Sequence, residues 1–476
     1  MSDFIPYIIS SFRGGVSDED SVGIKGSFKY GQSLSIHKRR DSLTCGQTML
    51  PIGTGTVVDF VKYFVCGSDG STYAFGDAGK IYAITGDSDH KVSLMHTETL
   101  GEIKGAGEWG LNDGTYHIYW SASTAIARKA KSTSGYNDWG DAAVWKNELV
   151  GSESYHPMKR ACGAFMIGNG DYLAMLEFDG SWNPIAMNIE PGNVIKCLES
   201  RGDYLIMGSE NRDLAEEGHI WKWITSAVNY VDKKKIPVKG VNALIDAELG
   251  LLQGGEDGEI FISDFANIEP QVAVPGGGYS LGGSATIDND LALFGIYGGT
   301  YPGLWSYGRR AKNRPVVLNQ EYRLSQTIAG NTLTGVGGVV SNNGTIYAGW
   351  KTAVAYGIDC ASSTTKATAL YEGLEFDGES PHLNKYFRDI HLILAPLPAG
   401  TSVAVKIKAD KAASWIDLKT ADGNTTFTTT DATEAVFLAD IKAKILEIGI
   451  TLTPNVNTSP EVLAIITYLE KETFNY

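Results

Sequence analysis

The chain has 476 residues, of which 43% are hydrophobic and 20% charged, a globular composition that excludes a disordered or fibrous chain. Its 40 basic residues stand against 55 acidic ones, a net charge of −15, which disfavours a nucleic-acid grip because neutralising phosphate needs a basic surface. Five scattered cysteines (Cys45, Cys66, Cys162, Cys197, Cys360) without a CxxC pair suggest neither a disulfide scaffold nor a zinc knuckle.

No apolar run reaches the roughly 18 residues of a membrane span, and the start, Met1-Ser-Asp-Phe-Ile-Pro, lacks a secretory pattern, so neither a span nor Sec export is expected. The first element is a strand-like stretch, Phe4–Ile9. After it, Ser11-Phe-Arg-Gly-Gly-Val-Ser leads through Lys25, Phe28, Lys29 and Tyr30 to the basic run His37-Lys-Arg-Arg40. Residues 1–50 read as an extended N-terminal arm. The basic run is either a solvated turn or part of an arm that docks on an acidic neighbouring subunit. On the second reading the interface candidates are Phe12, Arg13, Lys25, Phe28, Tyr30, His37, Lys38, Arg39 and Arg40.

From residue 51 the pattern changes to short apolar runs bounded by Gly, Asp and Asn, and 56 glycines against 15 prolines fit many tight turns between short strands. Seven repeats can be placed: Val61–Ile84, Gly105–Ala127, Cys162–Trp182, Val194–Trp223, Val241–Phe265, Ser284–Tyr307 and Gly335–Tyr356. Spacing of roughly 35–55 residues is that of four-stranded propeller blades. A β-propeller of about seven blades is therefore expected over residues 51–365. An immunoglobulin-like tandem would need repeats nearer 90–100 residues.

From about residue 371 the sequence resets. Clean alternation over Val403, Val405 and Ile407, and over Leu446, Ile448, Ile450 and Leu452, predicts strands with one buried face. A C-terminal β-sandwich over 366–476 completes an all-β fold.

Motifs for chemistry are sparse. Gly278-Tyr-Ser-Leu-Gly282 matches a nucleophile elbow, but Gly276-Gly-Gly before it reads as a blade connector rather than a strained strand-to-helix turn. The eight histidines (His37, His90, His96, His117, His156, His219, His382, His391) form no HxH or HExxH pattern. Asp288-Asn-Asp290, Glu256-Asp-Gly-Glu259 and Arg201-Gly-Asp203 read as hairpin turns, and Asp410-Lys-Ala-Ala-Ser-Trp415 is only a partial echo of a sialidase turn outside the propeller. No catalytic residue, metal or cofactor is expected.

Several phrases carry a resemblance. Ser11-Phe-Arg-Gly-Gly-Val-Ser, Gly26-Ser-Phe-Lys-Tyr-Gly-Gln-Ser-Leu-Ser-Ile and Asp41-Ser-Leu-Thr, with Lys385-Tyr-Phe-Arg-Asp-Ile and the stretch from Leu397 to Trp415, resemble phage tail structural proteins. Arm, propeller and terminal sandwich together resemble the tail nozzle proteins of short-tailed bacteriophages, also called packaged-DNA stabilisation or tail hub proteins. The resemblance implies a virion tail protein, assembled in the host cytoplasm, that forms a homo-oligomeric ring of six copies. Its implied partners are portal and adaptor proteins and tail fibres or tail spikes, and packaged DNA would pass through without specific binding. An acidic wall suits that passage, since it does not hold phosphate.

The rival is a tail-associated glycan-binding or polysaccharide-degrading propeller. It needs convergent carboxylates or an exposed aromatic shelf, for which Trp120, Trp139, Trp145, Trp182, Trp221, Trp223, Trp305 and Trp350 are available, either as shelf or as blade core. A cellular WD-type scaffold ranks last, because a regular Trp-Asp repeat is missing.

Overall fold

The computed structural model describes residues 4–17, 19, 25–37, 41–53, 55–85, 90–214, 217–247, 250–264, 267–281, 285–288, 291–309 and 312–471. The chain forms two compact units. One comprises Leu50–Leu304 and Leu324–Ala361, the other Met1–Met49, Trp305–Arg323 and Ser362–Tyr476.

The first unit is a seven-bladed β-propeller. Its inner strands are Val61–Cys66, Ala106–Gly110, Met158–Ala161, Asn193–Arg201, Val241–Ile245, Ala285–Asp288 and Leu333–Asn342. Each packs against the next, and the last packs against the first, so the ring closes. Among the described residues, six of the seven expected repeats each fall on one blade, and the other, Ser284–Tyr307, begins on the sixth blade but from Trp305 belongs to the second unit. The first five blades are antiparallel four-stranded meanders in sequence order. The sixth opens with the hairpin Ala285–Asp288 and Leu291–Ile296. The seventh builds outward from Leu333–Asn342 and takes its outermost strand, Gln47–Pro51, from ahead of the first blade. Just beyond that strand the Ile52 amide donates to the Ile358 carbonyl at 3.0 Å.

Blades stack face to face, so a middle strand is buried on both sides. Thr72–Gly76, Ala164–Asn169 and Leu291–Ile296 are buried along their whole length. This explains why these strands read as continuous apolar runs rather than alternating ones. Several blade tryptophans are core residues with a satisfied N–H. Trp120 donates to Glu98 at 2.9 Å, Trp221 to Ser209 at 2.8 Å and Trp350 to Asp359 at 2.7 Å, as buried indoles require.

Ring closure depends on close backbone approach. A Cβ on Gly337 would lie 1.9 Å from the Val61 carbonyl oxygen, and one on Gly349 would lie 2.3 Å from the same atom. The Asn342 amide fastens the same joint by donating to Thr72 Oγ1 at 2.8 Å.

The second unit departs from the expected plan. The described part of residues 1–50 is not an extended arm, because its strands up to Leu43–Thr44 complete sheets begun by the C-terminal segment and Gln47–Pro51 completes the seventh blade. In one sheet the order is Ile5–Ile9, Glu461–Lys471, Lys385–Leu394, Glu434–Ala443, with Ile5 opposite Leu469 and Ile9 opposite Ile465. In the other, Val317–Tyr322, Tyr30–Gln32, Ala369–Glu372, Leu446–Thr453 and Ser402–Ala409 follow one another. Val403, Val405 and Ile407 are buried on alternate positions as expected. The expected division at 50 and 366 is corrected in two respects. The C-terminal sheets are not confined to 366–476, and Trp305–Arg323 belongs with them rather than with the propeller. The physical reason is that an open sheet leaves unpaired N–H and C=O groups at its edge. Ile5–Ile9 and Tyr30–Gln32 supply those partners.

Because the Gly337 backbone nearly touches Val61, Gly337→Ala should overpack the joint and cost about 1–3 kcal/mol. A lowered urea midpoint with an unchanged m-value would show it; an unchanged midpoint would mean that the joint tolerates a methyl group.

Candidate functional site

On the axial side the first three inner strands bound an open cavity of about 460 Å³, lined in part by Phe64, Cys66, Glu108, Tyr116, Lys159 and Arg160. Glu108 is its most connected group. Its buried carboxylate accepts the Ser68 amide at 2.6 Å and the Tyr136 hydroxyl at 2.7 Å, and pairs with Arg160. Burial, followed by the Glu108 hydrogen bond, pushes the Tyr136 phenol far above its usual range. With three donors engaged, Glu108 acts as a brace between the second and third blades.

Comparable ion pairs tie successive blades. Lys62 meets Glu102 at 3.3 Å, Lys159 meets Glu199 at 2.7 Å, and Arg201 meets Asp246 at 3.6 Å. Burial works against the Lys62 ammonium, but the hydrogen bonds and charges of Asp77 and Glu102 hold it above its usual pKa. Asp77 and Glu102 both contact the Lys62 ammonium, at 2.5 and 3.3 Å.

His156 strengthens the joint between the second and third blades. Its amide donates to the Lys104 carbonyl at 2.8 Å, and its Nδ1 lies 3.1 Å from the Gly168 carbonyl, the geometry of a donated N–H. The side chain is fully buried, and burial pulls its pKa down to about 4. The imidazole is neutral near pH 7.

Between the second and third blades a chain of aromatic contacts runs from the inner strand Ala106–Gly110 to the outer strands Ala143–Lys146 and Trp182–Asn188. Phe178 meets Trp109 at 6.3 Å, Trp109 meets Phe165 at 6.4 Å, and Phe165 meets Tyr119 at 5.3 Å. Tyr119 meets Trp145 at 5.4 Å, and Trp145 meets Trp182 at 5.1 Å with the ring planes 71° apart. Trp145 is set there by a β-bulge: Ala127 pairs with Val144 and Ile126 with Lys146, leaving Trp145 as the extra residue. The Arg128 guanidinium and the Lys146 ammonium each lie 5.4 Å from its ring centre.

The interface candidates separate. Phe12, Phe28, Tyr30 and His37 are buried within the second unit. Phe12 and Phe28 pack on Tyr371 at 5.7 and 5.5 Å, Tyr30 donates to Gln320 at 2.8 Å, and His37 lies 3.4 Å from Ser306 Oγ. These four are core residues, a correction to their reading as a docking surface, and the reason is that the segment carrying them folds into its own sheets. Arg13 is half-buried and 3.6 Å from Asp41, and Lys25 is exposed. Lys38, Arg39 and Arg40 lie outside the described residues.

The remaining motifs are structural. Ser280 is buried, and its amide donates to Gln253 at 2.9 Å; Gly282 lies outside the described residues. Arg201-Gly-Asp203 forms a hairpin turn with Gly202 at φ 58°, and Glu256-Asp-Gly-Glu259 another with Gly258 at φ 78°. Asp288 is buried, and the two residues after it are outside the described ones. Asp410 accepts the Lys444 amide at 2.7 Å. The tryptophans divide too: Trp120, Trp139, Trp221, Trp223, Trp305 and Trp350 are buried, whereas Trp145 and Trp182 are only partly buried. Sequence reasoning missed Glu108, Arg160, Arg128 and Lys146. Glu108 and Arg160 stand 52 positions apart on different blades, so no local spacing could have paired them.

No family model and no curated protein matches the chain. Among solved structures, the extracellular domain of the putative hybrid two-component system BT4673 from B. thetaiotaomicron is 15% identical, with a TM-score of 0.45 over 72% of this chain. This chain spans only 42% of that one. The WD40 β-propeller domain of Doa1 is 12% identical, with a TM-score of 0.45 over 67% of this chain and 96% of its own. YCF48 bound to D1 peptide is 10% identical, with a TM-score of 0.45 over 66% of this chain and 94% of its own. None of these similarities carries a function to this chain.

Two outcomes follow for the joint between the second and third blades. Glu108→Gln should leave Arg160 without its counter-charge and destabilise the propeller by about 1–3 kcal/mol in denaturant titration; a smaller effect would mean that water replaces the pair. His156 titrates near 6.5 when unfolded and about 4 when folded, so between those values the unfolded chain binds the extra proton. Stability should be constant above about pH 6.5 and fall as the pH drops toward 4. His156→Gln should make that part of a stability-against-pH curve shallower, the remaining slope coming from His117 and His219, whose pKa values burial also lowers.

Proposed function

We propose that the chain is a structural protein of a bacteriophage tail, assembled from copies of itself into a ring through which the packaged genome is retained and then ejected. The observation that carries this reading is the strand Ile5–Ile9. It stands at the edge of its sheet with one side unpaired by any described strand, and four of its five residues are exposed. Ile5 is 50% and Ile8 55% exposed. Soluble proteins usually protect such edges with charge, because an open apolar strand invites pairing with another chain. This one is uncharged, in a chain of net charge −15, so copies that repel elsewhere can meet along it. The occupant is a strand of a neighbouring copy, joined by backbone hydrogen bonds in β-augmentation.

The acidic balance supports passage of DNA rather than its capture, since each neutralised phosphate would add salt-dependent affinity. Cross-blade ion pairs among buried or half-buried groups give the propeller the character of a rigid building block. On this reading the partners are portal and adaptor proteins and tail fibres or spikes, and the protein works in the virion.

Native mass spectrometry of the full chain, alone and mixed with its portal and adaptor, should find a ring of about six copies. The double variant Ile5→Lys, Ile8→Lys should raise the concentration needed for assembly at least tenfold while leaving the circular dichroism spectrum unchanged. A wild-type protein that stays monomeric in both settings overturns the proposal.

A further inference from the structure

The propeller carries a feature that a passive ring does not require: the rim around Trp145. Three observations meet there. A β-bulge turns Trp145 out of strand register, and Trp182 stands against it at 71° to form a corner of two partly buried indoles. Two cations flank Trp145, and neither forms an ion pair among the described residues. Of the other cations over tryptophan, Lys233 over Trp221 is held by Glu190 and Lys406 over Trp415 by Glu372 at 2.7 Å, whereas Lys408, 4.9 Å from the Trp415 ring centre, forms no ion pair among the described residues. Finally, one buried polar group deeper in the aromatic chain, the Trp109 indole N–H, lacks a hydrogen-bonding partner among the described residues. Buried polar groups without partners are uncommon in folded proteins and call for an explanation.

We infer that this rim is a binding site for an acidic saccharide. A pyranose presents a flat C–H face that packs on indole rings, and a margin of hydroxyls that needs acceptors. The exposed Glu148 carboxylate, already fixed by the Trp182 N–H, is such an acceptor. A uronic or sialic acid adds a carboxylate, the group that an unpaired guanidinium and ammonium bind through charge-assisted hydrogen bonds. A long nucleic acid is disfavoured, because the rest of the chain repels its phosphates.

The test uses the full chain and a hyaluronan octasaccharide, in which glucuronic acid alternates with N-acetylglucosamine, against a neutral chitin oligosaccharide of similar length. Tryptophan fluorescence titration should show saturable quenching by the acidic sugar and at least tenfold weaker binding of the neutral one. Arg128→Gln with Lys146→Gln, which leaves the rings in place, should weaken the acidic sugar at least tenfold. Trp145→Ala should do the same with an unchanged circular dichroism spectrum, and Trp415→Ala should not. Equal binding of both sugars, no effect of the charge variant, no binding at all, or tighter binding of a short single-stranded oligonucleotide would each overturn the inference.

Discussion

The closed ring of seven inner strands is the constraint on which the propeller depends. A propeller has no single central core: each blade buries its faces only against its two neighbours, so one open joint exposes apolar surface on both sides of the gap. Closure here relies on the Val61 carbonyl, which the backbones of Gly337 and Gly349 approach too closely for any side chain. It also relies on chain from ahead of the first blade, which completes the seventh. The joint between first and last blades is thus held by residues nearly 300 positions apart, and Asn342 donates across it to Thr72.

The charged groups follow the same geometry. A chain with an excess of acid tends toward self-repulsion in the compact state, and the ion pairs through Glu102, Glu108, Glu199 and Asp246 use part of that excess to tie one blade to the next. Partly exposed pairs of this kind contribute little individually. Glu108 differs, because its carboxylate is buried and accepts two further hydrogen bonds. What the framework leaves uncommitted is therefore informative: an uncharged edge strand in one unit, and two cations at an aromatic corner in the other.

Blade number was legible because each turn announces itself locally. Gly79, Gly114, Gly170, Gly202 and Gly258 take positive φ at hairpin turns, and such turns recur at blade spacing whatever the blades later touch. The alternation at Val403, Val405 and Ile407 was legible for the same reason, since strand periodicity is a property of neighbours in the chain. The N-terminal segment was misread. Its mixture of Lys25, Phe28, Lys29 and Tyr30 has the look of a surface arm, yet Phe28 and Tyr30 are buried and Lys29 reaches Glu447 at 3.6 Å. Alternating aromatic and basic residues describe a strand with one buried face equally well, and only a partner strand decides between the two.

The amino-acid order by itself determined the all-β class, the seven repeats and the acidic balance, because turn chemistry, strand period and net charge are local or additive. Only the tertiary structure decided which strands share a sheet, that strands up to Thr44 complete the C-terminal sheets, and which tryptophans are core and which are surface. It alone brought Glu108 to Arg160 and set two unpaired cations beside Trp145. Contacts between blades join residues separated by a whole repeat or more, and no local pattern encodes a distance of that kind.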